Sequence, residues 1–585
     1  MTERSTAPTA PTDDQAARTA ARAPAQRWPA IWGPRLWKLL AFAVVLLAYR
    51  IWLVGQSGIS LFFDEAQYWD WSRHLAWGYY SKPPMIAGLI WLSTHLFGNG
   101  IVGVKLVTML LYPLTALLMA GFARALWPTS SGVRTGIVAG ALFLTLPMVG
   151  AMGLFASTDA PLLLCWTAAS WMLWRAQVTN RMPYWVGLGL ACGLGLMSKY
   201  TMAAFSLTAL WTLWAVHGPR RGLLRPGPWV SIALALLVLS PNLWWNAHNG
   251  FPTLQHTAEL TTQSGRNGGL LSALEFATGQ MLMLGPVLVV VAVWLAWRSR
   301  HADTAQAVAP RSQWAASTQQ STLGRAAGGA PARPVARSSA YYLASVTSRR
   351  FLWALSAPLL LLAVGQALYA DANLNWAAPA MVGLTLLIAT LLSPPLIPLA
   401  APRPHRWLAI AMGGNLLLTA VVMHVRDVAP GPVPHYLDAM WRMRGWQEAF
   451  AELAPALDDP VVSGLPVLAD QRLLITQAAY NWRGKQVQTL YWNPKGLRNN
   501  HYELTRSLPN RIGQDVLLVT SSPRPEHITQ RFATVRPMAS TVVPVTANRK
   551  IELHLFFLRG FLGYDQHTYA EQSGGPSDLA TPANP

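Results

Sequence analysis

The sequence predicts a mainly α-helical protein that crosses a membrane many times and ends in a soluble α/β domain. Of its 585 residues, 52% are hydrophobic and only 12% are charged, and the mean hydropathy is +0.26. Uncharged runs of about 20 residues, the length that spans a bilayer as a helix, recur as far as residue 425. Beyond that point short alternating strands and amphipathic helices replace them.

The formal net charge of +20 reflects membrane topology. Most arginines lie in the N-terminal tail and in short loops, where Lys and Arg mark the cytoplasmic side. No basic stripe interleaved with stacking aromatic residues occurs in a soluble segment, so a nucleic-acid partner is not expected. Cys165 and Cys192 lie in apolar runs, without the spacing of a zinc site or a disulfide framework.

The N-terminal region sets the orientation. Residues 1–38 have the composition of a disordered tail, and their basic residues place it in the cytoplasm. The first span, Leu39–Gly55, leads outward into a first outer loop over residues 56–100. Within that loop, Met85–Phe97 is apolar but too short to cross the hydrocarbon, so we expect an interfacial or re-entrant helix.

A membrane domain over residues 39–425 with about 11 spans follows from the same criteria. A low-complexity segment, residues 298–350, is predicted to be a disordered cytoplasmic linker. The ten spans after the first are expected at Ile101–Leu126, Thr135–Phe155, Ala160–Trp174, Tyr184–Ser198, Thr201–His217, Trp229–Trp245, Phe276–Trp297, Phe351–Ala370, Trp376–Leu392 and Trp407–Val425.

An odd number of spans places residues 426–585 outside the cytoplasm, as an α/β domain with a loose C-terminal tail. A closing hairpin is expected from the alternation in Ser540–Val545 and Ile551–Phe557. The domain's other predicted elements are a helix near Tyr436–Leu457, a strand at Pro466–Ala469, a helix near Gln471–Trp482, and strands at Val487–Tyr491 and Asp515–Thr520.

The polar residues of the predicted outer face suggest chemistry on a lipid phosphate. Acids and bases gathered at a hydrocarbon boundary suit a molecule with an apolar tail and an anionic head. Lys82 and Lys199 could stabilise a phosphate leaving group, and Asp64 or Glu65 could accept a proton from an attacking hydroxyl. Asp159 and the loop residues His256 and Glu259 are assigned to the same side.

Structural roles remain open for several of these residues. Lys199 could simply extend its ammonium to the interface, and Asp159 could cap the span that it precedes. His248 and His256 lack a third metal ligand, which favours a structural role, and the aromatic residues near Asp64 could form an interfacial belt. Two adjacent carboxylates beside a span end are the stronger functional signal, because they are costly to place there without use.

Several motifs resemble bacterial polyprenyl-phosphate-dependent glycosyltransferases, the relatives of protein O-mannosyltransferases and of the lipid A aminoarabinose transferase. Together they cover about residues 39–425 in order. They are Phe63-Asp64-Glu65, Gly78-Tyr79-Tyr80-Ser81-Lys82-Pro83-Pro84, Ser157-Thr158-Asp159-Ala160-Pro161, Ser198-Lys199-Tyr200-Thr201, Ser240-Pro241-Asn242 with Trp245-Asn246, and Asn373–Pro379.

The resemblance implies a multi-span fold of the glycosyltransferase C type, with two juxtamembrane helices in the first outer loop. It also implies inverting transfer, without direct binding of a nucleotide sugar. Asp64 would be the catalytic carboxylate, with Glu65 beside it. The remaining implied site residues are Asp159 as a second acid, Lys82, Lys199 and Tyr200 at the donor phosphate, and Arg73, His256 and Glu259 in loops near donor or acceptor.

Ser81 departs from the pattern, because relatives commonly carry an acidic residue immediately before Lys-Pro-Pro. In the aminoarabinose enzymes that residue helps to hold a metal, so no cofactor is assigned here and Ser81 argues against a divalent metal. The expected partners are a polyprenyl-phosphate sugar, a lipid, protein or glycan acceptor, and the lipids of the bacterial inner membrane, with a periplasmic active site. The alternatives are a lipid A glycosyltransferase and a non-enzymatic lipid transporter or scaffold.

Overall fold

The computed structural model describes residues 35–56, 58–128, 130–217, 224–262, 268–307, 335–370, 372–393, 405–429 and 432–564. The described part is mainly helical, with one small sheet near its C-terminal end. Most of the predicted N-terminal tail, the middle of the predicted linker and the C-terminal tail from residue 565 lie outside the described residues.

The helices of the membrane domain follow one another with short connections. Two 3₁₀ turns, Tyr200–Ala204 and Leu374–Ala377, precede α9 and α15. The helices are α1 (Leu36–Gln56), α2 (Phe63–Arg73), α3 (Met85–Phe97), α4 (Ile101–Leu126), α5 (Ser130–Thr145), α6 (Pro147–Met152), α7 (Asp159–Thr179), α8 (Met182–Ser198), α9 (Phe205–His217), α10 (Pro226–His248), α11 (Pro252–Thr262), α12 (Leu270–Leu284), α13 (Pro286–Ala307), α14 (Val335–Tyr369), α15 (Ala380–Leu392) and α16 (His405–Met423).

Five of the described helices are long and apolar enough to cross a membrane: α1, α4, α10, α16 and the segment Thr347–Tyr369 of α14. The pair α12 and α13 would make six if it counts as one bent span, and α3, α8, α15 and the segment Gly132–Thr145 of α5 are shorter apolar helices. The protein is therefore a multi-pass membrane protein. The count of eleven spans stays a prediction.

Two predicted spans are interrupted in their interior by a break between two helices. In Thr135–Phe155 the helix breaks between α5 and α6, because Pro147 forces Leu146 into an extended conformation (ψ 134°). In Phe276–Trp297 the chain bends by 90° between α12 and α13. Gly285 adopts a φ of +94° there, which side chains disfavour, and Pro286 starts the new helix.

The predicted linker 298–350 is shorter than expected, because α13 and α14 continue into it as far as Ala307 and from Val335. A helix does not need to stop at the hydrocarbon boundary when its polar end reaches water. Residues 308–334 lie outside the described residues.

The C-terminal domain is a five-stranded mixed sheet with small helices. Its strands are β1 (Val467–Ala469), β2 (Thr489–Tyr491), β3 (Val516–Thr520), β4 (Phe532–Thr546) and β5 (Arg549–Phe561), in the order β2-β1-β3-β5-β4. β1 pairs in parallel with β2 and β3, and β5 pairs antiparallel with β3 and β4. The expected hairpin is present and longer than predicted.

The helices of this domain are short. The helix expected near Tyr436–Leu457 is reduced to Trp446–Leu453, with flanking 3₁₀ turns at Trp441–Met443 and Ala454–Asp458. Gly445 precedes the helix with a left-handed φ of +78°, and Pro455 lies inside the second turn. A further 3₁₀ turn is Arg483–Lys485. The helices are α17 (Val425–Val428), α18 (Trp446–Leu453), α19 (Arg472–Asn481), α20 (His501–Thr505) and α21 (Glu526–Thr529).

Helix α19 docks the domain onto the segment that contains α2. Gln477 donates to the backbone oxygen of Leu61 at 2.9 Å. In α2, the buried Asp70 accepts from Tyr502 at 3.0 Å and from Arg506 at 2.9 Å. These contacts hold the C-terminal domain and α2 at the same end of the helix bundle.

Candidate active site

Asp64 lies in the first turn of α2, where the helix N-terminus favours a negative charge. Its Oδ1 accepts from Nη2 of Arg472 at 2.8 Å, and the two side chains are 38% and 32% exposed. The Arg472 guanidinium carbon lies 4.8 Å from the centre of the Phe63 ring. The carboxylate is thus solvent-accessible and held by a cation of the C-terminal domain.

Arg472 is a site residue that sequence reasoning missed. It is the first residue of α19 and lies 408 positions from Asp64 in the chain. Nothing in the local sequence distinguishes it from the other arginines, and only the docking of α19 on α2 brings it to the site.

Glu65, the expected partner of Asp64, is instead buried in an ion pair. Its carboxylate accepts from Nζ of Lys105 at 2.6 Å, and the two side chains are 2% and 0% exposed. The backbone nitrogens of Ala156 and Phe62 also donate to it, at 2.6 and 2.9 Å. These contacts tie α2 to α4 and to the loop before α7, and they leave Asp64 as the accessible carboxylate of the two.

Replacing Lys105 by Met is expected to destabilise the protein by about 3–5 kcal/mol, because the Glu65 carboxylate would stay buried without its cation. Thermal unfolding in detergent should show a lower Tm. The double variant Glu65→Gln/Lys105→Met should recover most of the loss, since it removes both charges. A single variant that melts like the wild type would contradict the structural role of this pair.

Lys82 lies in a segment that α10 and α11 hold in place. Asn242 donates to the backbone oxygen of Trp77 at 2.7 Å, and Thr253 donates to that of Tyr79 at 2.7 Å. Gly78 lets the segment approach closely, since a Cβ there would lie 2.3 Å from the Trp245 ring. The resemblance motifs around Lys82 and Asn242 therefore meet in space.

The Lys82 ammonium makes no hydrogen bond or ion pair within the described part of the chain. Burial, followed by the positive charge of Lys199, lowers its pKa to about 8. The charges of Asp64 and Asp159 oppose this shift only in part. A half-buried cation with no carboxylate partner among the described residues is suited to an anionic ligand.

Lys199 and Asp159 form a second ion pair. Nζ of Lys199 donates to Oδ1 of Asp159 at 2.8 Å, and the side chains are 11% and 3% exposed. Asn375 donates to the other carboxylate oxygen at 2.9 Å. Asp159 therefore contacts side chains of two distant motifs, and the cap residue Thr158 makes no side-chain capping bond.

Tyr200 is fixed by α10. Its hydroxyl donates to Oδ1 of Asn242 at 2.5 Å and accepts from Nδ2 of Asn246 at 3.2 Å. Burial raises the pKa of this hydroxyl. The side chain is thus a neutral group beside the Lys82 segment.

A cavity of about 500 Å³ joins these groups to the membrane-spanning helices. Its polar lining includes Ser81, Lys82, Lys199, Tyr200 and Gln366, and its apolar lining includes Leu207, Leu359, Leu362, Ala363 and Trp376. Two ammonium groups combined with aliphatic walls fit an anionic head on a hydrocarbon chain.

The three loop residues have different positions. His256 packs on Tyr80 with 5.2 Å between ring centres, and burial together with the charges of Lys82 and Arg472 lowers its pKa to about 4. Glu259 is exposed. Burial of Tyr80 raises the pKa of its hydroxyl to about 12, and the negative charge of Glu259 contributes to the same shift. Arg73 is held by Ser72 and Thr94, at 2.9 and 2.5 Å, and does not line the cavity.

The residues present do not form a metal centre. Among the described residues, no three His, Cys, Asp or Glu side chains are placed to share a metal ion. Ser81, which lines the cavity, offers only a hydroxyl where the implied metal ligand would be acidic. We therefore derive no step through a metal.

Comparison with known proteins relates this chain to a group of enzymes. Residues 81–245 match the family described as dolichyl-phosphate-mannose-protein mannosyltransferase. Lipid A galacturonosyltransferase RgtD of Rhizobium johnstonii is 28% identical over 489 residues, which cover 82% of this chain and 90% of RgtD. An undecaprenyl phosphate-alpha-4-amino-4-deoxy-L-arabinose arabinosyl transferase of Pseudomonas savastanoi is 27% identical over 212 residues, covering 35% of this chain and 39% of that protein.

The fold is similar to that of ArnT from Cupriavidus metallidurans. Its apo crystal structure matches with a TM-score of 0.57 at 14% identity, over 90% of this chain and 98% of ArnT. Together these findings confirm the resemblance, the glycosyltransferase C type fold and the expectation of an enzyme. The chain is therefore similar to enzymes named as glycosyltransferases, and the name of one of them includes an undecaprenyl-phosphate-linked sugar.

Proposed function

We propose that this protein transfers a sugar from a polyprenyl-phosphate donor to an acceptor on the periplasmic face of the bacterial inner membrane. The observation that carries the proposal is the cavity in which Lys82 and Lys199 adjoin aliphatic walls. A polyprenyl phosphate has both required parts, a phosphate for the ammonium groups and a hydrocarbon chain for the walls. A second crystal structure of ArnT, similar in fold with a TM-score of 0.56, is bound to undecaprenyl phosphate.

The proposed reaction is a single displacement with inversion. The acceptor oxygen bonds to the anomeric carbon of the sugar, and the bond from that carbon to the phosphate oxygen breaks. The acceptor proton passes to Asp64, and polyprenyl phosphate leaves with the electron pair. Lys82 and Lys199 stabilise the charge that develops on the leaving phosphate, while Asp159 and Tyr200 orient the cationic side of the site.

In this mechanism Glu65 positions rather than reacts, because its carboxylate is buried and is held by Lys105 and by the backbone nitrogens of Phe62 and Ala156. Arg472 orients Asp64, and the neutral His256 packs beside the cavity. Arg73 supports α2 through Thr94. The periplasmic orientation rests on the basic cytoplasmic loops and on the C-terminal domain, which docks beside Asp64.

Lipid A is the acceptor that the comparisons favour. RgtD, whose match extends over 90% of its length, is named as a lipid A galacturonosyltransferase. When the accepting group is a phosphate that is already ionised, Asp64 need not act as a base, and its role becomes electrostatic.

The direct test uses the purified protein in nanodiscs with a panel of undecaprenyl-phosphate sugars and lipid A. Mass spectrometry of the lipids should show one donor converted to undecaprenyl phosphate, with lipid A heavier by the same sugar. If none of the donors is consumed with any acceptor, the proposal fails. Movement of donor between leaflets without chemical change would indicate a transporter.

Donor affinity is expected to fall above pH 8, because Lys82 has a pKa of about 8 and binds phosphate as the ammonium. Below that pH the cation predominates, and above it the dissociation constant should rise by up to about tenfold per pH unit. Titration of undecaprenyl phosphate between pH 6.5 and 9.5 measures this. In Lys82→Arg the dissociation constant should no longer rise at alkaline pH, since arginine keeps its charge. An unchanged rise would show that a different group loses its proton.

A further inference from the structure

We propose that a cleft between the C-terminal domain and α2 binds the anionic sugar head group of the acceptor. The cleft has a volume of about 370 Å³, and its lining includes Phe63, Trp441, Arg442, Trp446, Arg549 and Lys550. This inference rests on the proposed function and adds the place and the chemistry of acceptor recognition.

The charge of the cleft points to an anion. Lys550 pairs with Glu552 at 2.8 Å, so part of its charge is compensated. Arg442 and Arg549 are both exposed, and within the described residues neither has a carboxylate within ion-pair distance. Their guanidinium groups are therefore available to a phosphate or carboxylate, which they can bind in a bidentate manner.

The aromatic residues place these two cations together. The guanidinium carbons of Arg442 and Arg549 lie 5.4 and 5.8 Å from the centre of the Trp441 ring. Two like charges beside one ring attract a shared anion more strongly than either does alone. Nε1 of Trp446 donates to the backbone oxygen of Arg442 at 3.0 Å, which holds this second ring at the cleft.

Two indole rings beside two guanidinium groups suit a charged sugar better than a simple ion. The C–H face of a sugar ring packs on an aromatic face, and the cations fix its charged substituent. A cleft of this volume accepts a sugar unit, and Leu473, Val545 and Ile551 add an apolar wall beside the two indole rings.

The location of the cleft connects it to the reacting groups. Phe63, in its wall, immediately precedes Asp64, and its ring lies beneath Arg472, which pairs with Asp64. The charges of Asp64 and Arg472 both act on the pKa of Lys82, which lines the donor cavity. Asp64 thus directly follows a residue of the cleft wall, and its charge acts on Lys82 in the donor cavity, so it lies between the two proposed binding sites.

The test compares the full-length wild type with the double variant Arg442→Ala/Arg549→Ala in nanodiscs. Binding is measured with phosphorylated lipid A, with enzymatically dephosphorylated lipid A and with inorganic phosphate. We expect the double variant to bind phosphorylated lipid A at least about tenfold more weakly, since charge-assisted hydrogen bonds are lost. Dephosphorylated lipid A should bind weakly to both proteins. If inorganic phosphate competes only weakly with phosphorylated lipid A, the sugar supplies the remaining affinity.

The matched control is Arg511→Ala/Arg524→Ala, which removes two exposed arginines elsewhere on the same domain. It should bind phosphorylated lipid A like the wild type, and all three proteins should bind undecaprenyl phosphate equally, which shows that the variants are folded. Equal binding of phosphorylated lipid A by the cleft variant and the wild type would overturn the inference. Wild-type binding without sugar transfer would instead refute the proposed function and leave the cleft assignment standing.

Discussion

Replacing Asp64 by Asn is expected to lower the rate of sugar transfer to a hydroxyl acceptor by about 10²–10⁴-fold, the usual contribution of a positioned general base. Asparagine keeps the shape of the side chain but cannot take the acceptor proton. Turnover of a labelled donor under saturating conditions measures the effect. Donor binding should change little, because the proposed phosphate contacts are Lys82 and Lys199, which line the donor cavity.

The substitution also removes the ion pair with Arg472, so a control must separate chemistry from domain docking. Arg472→Met breaks the same pair and leaves the carboxylate, so its transfer rate should stay above that of Asp64→Asn. Asp458→Asn, which disrupts the exposed pair with Lys485, should behave like the wild type. Near-normal turnover by Asp64→Asn would remove Asp64 from the role of base, and an acceptor that is already ionised would then become the better explanation.

The sequence predicts the chemistry of this site better than its geometry. Asp64, Lys82, Asp159 and Lys199 could be found because charge is rare near a hydrocarbon boundary and each case stands out. Their assignment to one side of the membrane rests on the basic loops and stays a prediction. Asp159 and Asn375 belong to two motifs that are far apart in the sequence, and the structure brings these motifs into contact.

Arg472 and the cleft residues could not be found in this way. Arginine is ordinary on a soluble surface, and Arg442 and Arg549 differ from other exposed arginines only in their position beside Trp441. Their significance comes from the docking of α19 on α2, a contact between residues about 400 positions apart. No periodicity within a short window contains that information.

Glu65 shows that residues adjacent in the sequence need not share a site. Its adjacency to Asp64 predicted a shared role, but neighbouring helix positions point about 100° apart. One carboxylate therefore faces the site while the other enters the bundle and meets Lys105. The helix breaks at Leu146 and Gly285 were similarly hidden, because hydropathy measures an apolar run without recording a bend within it.

Lys82→Met and Lys199→Met are expected to lower transfer by about 10²–10³-fold each, as when one donor that stabilises a transition-state charge is removed. The two lysines should nevertheless differ in the ground state. Lys82 has no carboxylate partner among the described residues, so its whole charge is available to the phosphate and its loss should weaken donor binding directly.

Loss of Lys199 has an additional consequence, because Asp159 would keep a buried negative charge whose one remaining side-chain partner among the described residues is Asn375. That charge repels the donor phosphate, so Lys199→Met should bind donor more weakly than the double variant Lys199→Met/Asp159→Asn. The same rescue is not expected for Lys82→Met with Asp159→Asn, since Lys82 does not contact that carboxylate. Isothermal titration with undecaprenyl phosphate compares the four proteins, and a rescue of equal size in both backgrounds would show that Asp159 acts on the donor independently of Lys199.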